Sequence, residues 1–521
     1  MSWAGSTRLA WAGSIVGIGV GVTSRSVPPR CSAPPAAAPA QLTRLAYDTL
    51  VTFEASPGPA GLRLVPDLAL SIPAPSDGDT TYTFRLRRGI RYSDGRPLRA
   101  TDFRRGVERL FRVRSQGVGY YRGLEGADAC VERPGSCELP RGIEVDDAAG
   151  TVRFHLTEPD PSFPLKLTVF GYSAPIPLGT PDRDVGTDAV PGTGPYRIAE
   201  RTRGGAVFVR NRFFREWSHA AQPQGYPDRV VWRTVRSSRA AVDQVRRGRA
   251  DWILSLLPAE AIRRLPIELP GQLHENPWLL IDFIPLNTHR PPFDDVRARR
   301  AFNFAIDRDR IARMYGGSAG AVPTCQTLMP GMLGHRAFCP YSHDGDLGRA
   351  RRLVAASGTA GERVDVWAPT DLLGQPEQLR GYVAGVLRSI GYRVVLHEVP
   401  AGHFTHAFRR HIQLSVDGDW LPDYPAPSSY LPQFFGCGGG LTNGYVCNPE
   451  LDRRMKDAAA LELRSPEAAA PAWAAIDREI VRQAYWVPTV NPQEPELVSK
   501  RLRNYQFNPV WGFLADQAWL R

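Results

Sequence analysis

The densest group of chemically able side chains is Asp417-Gly-Asp-Trp-Leu-Pro-Asp-Tyr-Pro-Ala-Pro-Ser428, with Phe434 to Asn448 close behind it. A carboxylate such as that of Asp423, set in a site that excludes water, is costly to leave unpaired, and an arriving ammonium group would satisfy it. Trp420, Tyr424, Tyr430 and Tyr445 offer apolar walls with polar rims, the lining that small polar solutes use. The plainer alternative is that Asp423 caps a turn and the rings are core. Asp417, Asp419 and Asp423 also suit a glycosidase acid pair, but the separation such a pair needs is not legible in sequence.

Other reactive residue types give weaker signals. Gly316-Gly-Ser-Ala-Gly320 spells Gly-x-Ser-x-Gly, yet it follows a helical pattern, whereas a nucleophile elbow sits between a strand and the helix after it. It reads as a helix stop. His403, His406 and His411 surround a predicted helix with no acid or cysteine to complete a metal shell, so a solvated face is expected and no metal is assigned. Cys130 with Cys137, Cys325 with Cys339, and Cys437 with Cys447 are locally spaced pairs that leave Cys31 alone. Short disulfides fit an oxidising compartment and free thiols an intracellular one; finger-type zinc spacing is absent. No catalytic residue and no cofactor is assigned.

The elements that must position these groups are legible in part. Ala298, Ala301, Phe302, Ala305 and Ile306 form one apolar helical stripe, with Arg297, Arg299 and Arg300 off it and expected to stay wet. Asp295 is placed as its N-cap, and Asp307 as the cap of a second short helix that Gly316 or Gly317 ends. Tyr82, Phe84 and Leu86 alternate as in a half-buried strand, Ser93-Asp94-Gly95 is a turn, and Thr101 is placed to cap a helix whose Phe103, Val107, Leu110 and Phe111 share a face. Arg363 to Trp367 and Tyr392 to Val399 read as strands flanking a helix around Leu379 to Ile390, a βαβ unit of a mostly parallel sheet.

The wording Asn287-Thr-His-Arg-Pro-Pro-Phe-Asp-Asp-Val-Arg297 with Ala305-Ile-Asp-Arg308 resembles the extracellular solute-binding proteins of family 5, the peptide and nickel receptors of ABC importers. Leu64-Val-Pro-Asp67, the run from Tyr82 to Phe103, Val190-Pro-Gly-Thr-Gly-Pro-Tyr196, Asp228 with Trp232, Val242 to Trp252, and Asp477 to Pro492 are similar to the same family in the expected order. The resemblance covers about Leu45 to the C-terminus and implies an α/β, bilobal periplasmic-binding-protein-like fold with an additional small domain in the first lobe. It implies a hinge, a cleft between the lobes and, at Asp423-Tyr424-Pro425, a turn on the cleft face of the second lobe whose acid pairs with a ligand α-amine. Asn443 and Gly444 match a family position near the ligand, although Asn-Gly is equally a plain turn.

The domains expected are a signal-like or disordered segment 1–40; lobe I from 41–62, 190–284 and 487–521; a small subdomain 63–189; and lobe II from 285–486. The 521 residues and 43% hydrophobic content suit a folded chain of two or three lobes. The formal charge of +11 is carried almost wholly by arginine, dispersed among acids without a binding motif, so no nucleic-acid partner is expected. The apolar stretch from Leu9 to Val22, after Arg8, has the length of a signal h-region; Pro28-Pro29-Arg30 before Cys31 is no lipobox, and Ala36 to Ala38 offers a cleavage site. The expectation is an exported monomer, membrane-attached only through an N-terminal anchor if at all, serving permease subunits without catalysis. The alternatives are a sensory domain for a signalling partner and, less favoured, an extracellular hydrolase.

Overall fold

In the computed structural model the described residues are 14–20, 40–185, 188–202, 204–254, 257–370, 375–404, 411–438 and 445–521. The family stretch folds as its apolar periodicity dictates. Asp295 accepts from Arg297 N at 2.6 Å and caps the helix Val296–Ala305; Asp307 accepts from Arg310 N at 2.6 Å and caps Arg308–Met314. Gly316 and Gly317 follow with φ of +107° and +88°, a region that a side chain would strain, so the second helix ends there.

The helix departs from expectation at Arg299, which is buried instead of wet. Its guanidinium donates to the carbonyls of Gln483, Phe293 and Asp294, so backbone acceptors rather than water take its protons. Thr101 is likewise not the cap of Ala100–Arg112. Asp102 turns back to accept from Arg99 N, while the Thr101 hydroxyl donates to Asp147 at 2.7 Å. The apolar face of that helix is as read, with Phe103, Val107, Leu110 and Phe111 all buried.

The chain divides into two compact units, one from the described residues up to 254 together with Glu496–Arg521, the other spanning 257–495. In the first, strands lie in the order Glu496–Val498, Trp252–Ile253, Ser14–Val20, Arg229–Val235, Gly205–Arg210, Tyr196–Thr202. Their core holds Tyr196, Phe208, Trp232, Trp252 and Phe513. Thr81–Arg85, Thr151–His155 and Ile143–Asp146 make a separate antiparallel sheet in the same unit, with Tyr82 and Phe84 inside as the alternation requires.

Ser14–Val20 belongs to the stretch expected as a signal segment, yet it pairs in parallel with Arg229–Val235 and with Trp252–Ile253. The conflict has a physical source: a run of isoleucine, valine and glycine satisfies an apolar h-region and a parallel strand alike. Residues 1–13 and 21–39, with Cys31 and the alanines 36–38, lie outside the described residues.

The second unit holds two sheets. Ala321–Pro323, Trp486–Pro492, Ile281–Pro285 and Gly418–Trp420 are antiparallel neighbours in that order; Arg393–Val399, Arg363–Pro369 and Leu414–Ser415 are parallel, and the helix Gln378–Ser389 completes the expected βαβ unit. Because Ile281–Pro285 pairs with Trp486–Pro492 inside this unit, the chain changes units before 281 and after 492, outside the expected breaks at 284/285 and 486/487.

Cysteine pairing follows the near spacing: Cys130–Cys137, Cys325–Cys339 and Cys437–Cys447 are disulfides. Cys437–Cys447 closes a separation of 10 residues, and chain-entropy arguments give such a loop about 3 kcal/mol. A Cys437→Ser, Cys447→Ser protein should therefore unfold at lower denaturant, and an unshifted midpoint would remove that contribution.

Candidate functional site

Strand pairing fixes one end of the acidic and aromatic stretch. Ile281 faces Trp420, Asp282 faces Asp419, and Phe283 faces Gly418 across the antiparallel ladder. Position 418 must be glycine, since a Cβ there would stand 2.3 Å from the Phe283 carbonyl oxygen. Trp420 leaves the strand half-buried and packs edge-on against Phe434 at 5.1 Å; Phe434 in turn meets Trp486 at 4.8 Å, and Trp486 stacks on Phe283 at 3.5 Å. The Trp420 indole Nε1 is buried and has no acceptor among the described residues.

Beyond the strand, Asp423 is exposed, Tyr424 is 5% exposed and Tyr445 is 2% exposed. The Tyr424 carbonyl accepts from Ala426 N at 2.8 Å, and the Tyr445 carbonyl accepts from Thr288 N at 3.2 Å, tying 445 to the family wording around Asn287. Tyr430 is core: it is fully buried and its hydroxyl donates to Thr327 O at 2.7 Å. Asn443 and Gly444 lie outside the described residues, as does His406. His403 and His411 are exposed and enter no metal-ligating group among the described residues. Ser318 sits between a helix and the strand Ala321–Pro323, the reverse of the context a nucleophile elbow needs.

Sequence reasoning missed the group behind the site. Asp282 is buried on the strand that carries Phe283, and the Tyr315 hydroxyl donates to it. Burial, helped by the charge of Asp419 and opposed by that hydrogen bond, pushes the Asp282 carboxyl up to about 8. A lone acid inside the apolar run Ile281-Asp-Phe-Ile284 was the available signal.

Four more carboxyls are raised by burial, Asp102 among them. Asp48, which accepts from Thr193 and Gln222, rises to about 6; Glu462, which accepts from Trp473 Nε1, rises to about 7; and Asp67, close to the Asp48 carboxylate, also rises. In each the folded state holds a proton at a pH where the unfolded chain has lost it. Their contribution to stability is therefore complete below about pH 4 and declines as pH rises toward about 8, each group by up to about 1.4 kcal/mol per pH unit. Asp94, Asp147, Asp295 and Asp365, held low by hydrogen bonds and arginine partners that outweigh burial, act only below that window. Melting should be higher at pH 5 than at pH 8, and a temperature midpoint that climbs across this range would contradict the assignment.

Three comparisons bear on this arrangement. The family model "Bacterial extracellular solute-binding proteins, family 5 Middle" matches residues 63–442. The "Probable di/tripeptide-binding protein 5" of Pseudomonas aeruginosa (strain UCBPP-PA14) is 25% identical over 484 residues, covering 88% of this chain and 87% of the relative. The "Periplasmic oligopeptide-binding protein OppA" of Escherichia coli (strain K12) is 25% identical over 394 residues, covering 72% of this chain and 70% of the relative. Among solved structures, "Clavulanic acid biosynthesis oligopeptide binding protein 2" superposes with a TM-score of 0.83 at 25% identity, covering 98% of this chain and 95% of that one. No described helix is long and apolar enough to cross a membrane.

Proposed function

The chain belongs to family 5 of the bacterial extracellular solute-binding proteins and is a binding protein of the ABC-import type; from that premise we propose that its cargo is a short peptide, taken up outside the cytoplasm and passed unaltered to permease subunits. The observation that carries the reading is the family match across 63–442, which contains Trp420 and Asp423-Tyr424-Pro425. The relatives are named for di/tripeptide and oligopeptide binding, which supports this cargo class.

The roles follow from the chemistry of a peptide. Asp423, exposed beyond the strand Gly418–Trp420, pairs with the α-ammonium group; Trp420 supplies a flat apolar wall, and its indole N–H, which has no acceptor among the described residues, donates to a peptide carbonyl. Tyr424, next to the exposed carboxyl in sequence, and Tyr445 are largely buried, and Asn443 and Gly444, outside the described residues, are the family positions proposed for further backbone contacts. Extended backbone hydrogen bonding gives affinity with little side-chain selection. Hinge closure, implied by the family resemblance, is the proposed mode of capture.

Thermal-shift screening across peptides, sugars, opines and metal complexes tests the cargo class. A peptide at one hundred times its dissociation constant should add about 2.7 kcal/mol of stability. A library in which sugars or metal complexes shift the midpoint and no peptide does would overturn the proposal.

A further inference from the structure

In the first unit, a cavity of about 540 Å3 lies by the hairpin formed by Tyr196–Thr202 and Gly205–Arg210. Arg197, Arg210 and Arg212 line it together with Ser93 and Asp94. Its charges do not balance. Asp94 is held by Arg96, whose Nε donates to it at 2.7 Å and whose backbone N–H donates at 3.1 Å. Arg210 is likewise taken: it donates to Asp228 at 3.0 Å and to the carbonyls of Gly225 at 2.9 Å and Tyr226 at 2.6 Å. Arg197 and Arg212 have no carboxylate partner among the described residues. Guanidinium groups stay charged at any ordinary pH, so the cavity carries two positive charges in excess.

The walls are fixed by groups other than the arginines. The Ser93 backbone N–H donates to Gly192 O at 2.8 Å, which joins the turn Ser93-Asp94-Gly95 to the loop that carries Val190 and Pro191. That loop is held in turn by the Tyr47 hydroxyl, which donates to Val190 O at 2.9 Å, and by Gly194 N, which donates to Ala46 O at 3.1 Å. Gly95, at φ +93°, leaves the space in which the Phe213 ring packs, since a Cβ there would stand 2.9 Å from that ring. The Arg212 guanidinium lies over the same ring at 4.7 Å. Asn211, buried between the two arginines in sequence, donates to Gly194 O at 2.9 Å and accepts from Phe213 N at 3.0 Å. Arg212 is thus presented by an ordered frame without an acid to hold it.

We propose that this cavity binds a small phosphate monoester, with Arg197 and Arg212 as the groups that take its phosphate. A monoester carries about 1.5 to 2 negative charges at neutral pH, which matches the excess, whereas a carboxylate would offset only half of it. The planar guanidinium forks also suit phosphate, because each can donate to two of its oxygens at once. The cavity is larger than a bare phosphate and falls within the range of about 300–1,000 Å3 of small-molecule sites. Val190, Pro191 and Ile198 give the organic part of the ester an apolar surface, and the Ser93 hydroxyl adds a neutral donor. Asp94, already paired with Arg96, keeps the excess at two charges and so disfavours a polyphosphate. None of these residues is among those assigned to the peptide, so the two readings stand or fall separately.

The test presents one monoester in two forms to the full chain: glycerol 3-phosphate in calorimetric titration, and phosphatidic acid in phosphatidylcholine vesicles in a flotation assay. Saturable one-to-one binding of the soluble probe supports the site with a free ester as its ligand; binding to the vesicles alone supports it with a lipid headgroup. In the arm that binds, Arg197→Ala and Arg212→Ala should each weaken binding about tenfold or more. Both positions are exposed, and melting curves check that the variants keep the fold. Binding should also weaken between pH 7.5 and pH 5, because the monoester loses its second charge at about pH 6. Arg239→Ala, at an exposed position of the helix Ser238–Arg246 outside the cavity, should change nothing. No binding in either arm, equal binding at the two pH values, or a loss in Arg239→Ala as large as in Arg212→Ala would each overturn the site.

Discussion

An Asp423→Asn protein will bind peptides bearing a free α-ammonium group about 10- to 150-fold more weakly than the native chain, the range of 1.5–3 kcal/mol that a charge-assisted hydrogen bond carries. N-acetylated peptides, which have no such charge, should be unaffected. The selectivity of the loss is the informative part. Asparagine keeps the size and one acceptor of the aspartate, and position 423 is exposed. If Asp423 merely capped a turn, both peptide classes would weaken together or neither would. Calorimetric titration of the two peptide classes decides, and identical affinities in native and variant protein would remove Asp423 from the site. Trp420→Phe offers a companion test, because it keeps an aromatic ring toward Phe434 while removing the indole N–H, which has no acceptor among the described residues, together with part of the ring surface.

Arg308→Leu is expected to be the most damaging single change in the second unit, lowering unfolding stability by about 3–5 kcal/mol, the range of breaking a buried polar network. The Arg308 side chain is completely buried and donates to Thr324 O, Pro488 O, Asn303 O and Asn303 Oδ1, all near 3.0 Å, and to Ser342 O. Burial pulls its guanidinium down to about 10, so it stays charged at neutral pH. One side chain thus joins the helix Arg308–Met314 to the start of the loop that the Cys325–Cys339 bond closes and to the strand Trp486–Pro492. Leucine would fill part of the volume and leave several carbonyls in the interior without donors. Arg297, at the exposed first turn of the neighbouring helix, provides the control: Arg297→Leu should shift the denaturant midpoint far less, as the loss of a surface ion pair does. Denaturant midpoints that fall equally in the two variants would contradict the role given to burial.

The contrast between those arginines shows what sequence patterning can and cannot reach. The stripe Ala298, Ala301, Phe302, Ala305 and Ile306 is buried as its spacing requires, and both aspartate caps are where the helix starts place them. Period alone cannot say that Arg299 and Arg308 are inside, because their acceptors are main-chain carbonyls from positions as distant as Gln483 and Pro488. The same limit explains Asp282, whose partner Tyr315 lies 33 residues away. The βαβ unit was legible because its signals are local and its strands are apolar in turn. Cysteine pairing was legible because each bond closes a separation of no more than 14 residues. Of the candidate site, the strand ladder fixes the register of Trp420, and Asp423 follows it in an exposed position; which ligand such residues receive is not written in the fold.

That cargo assignment is where the account is most directly open to measurement. Purified protein equilibrated with a mixture of short peptides, washed free of unbound material and then denatured should release one peptide per chain, identical in mass to the one supplied. Cleaved or otherwise altered products, or a chain that retains sugars or metal complexes and no peptide, would contradict it.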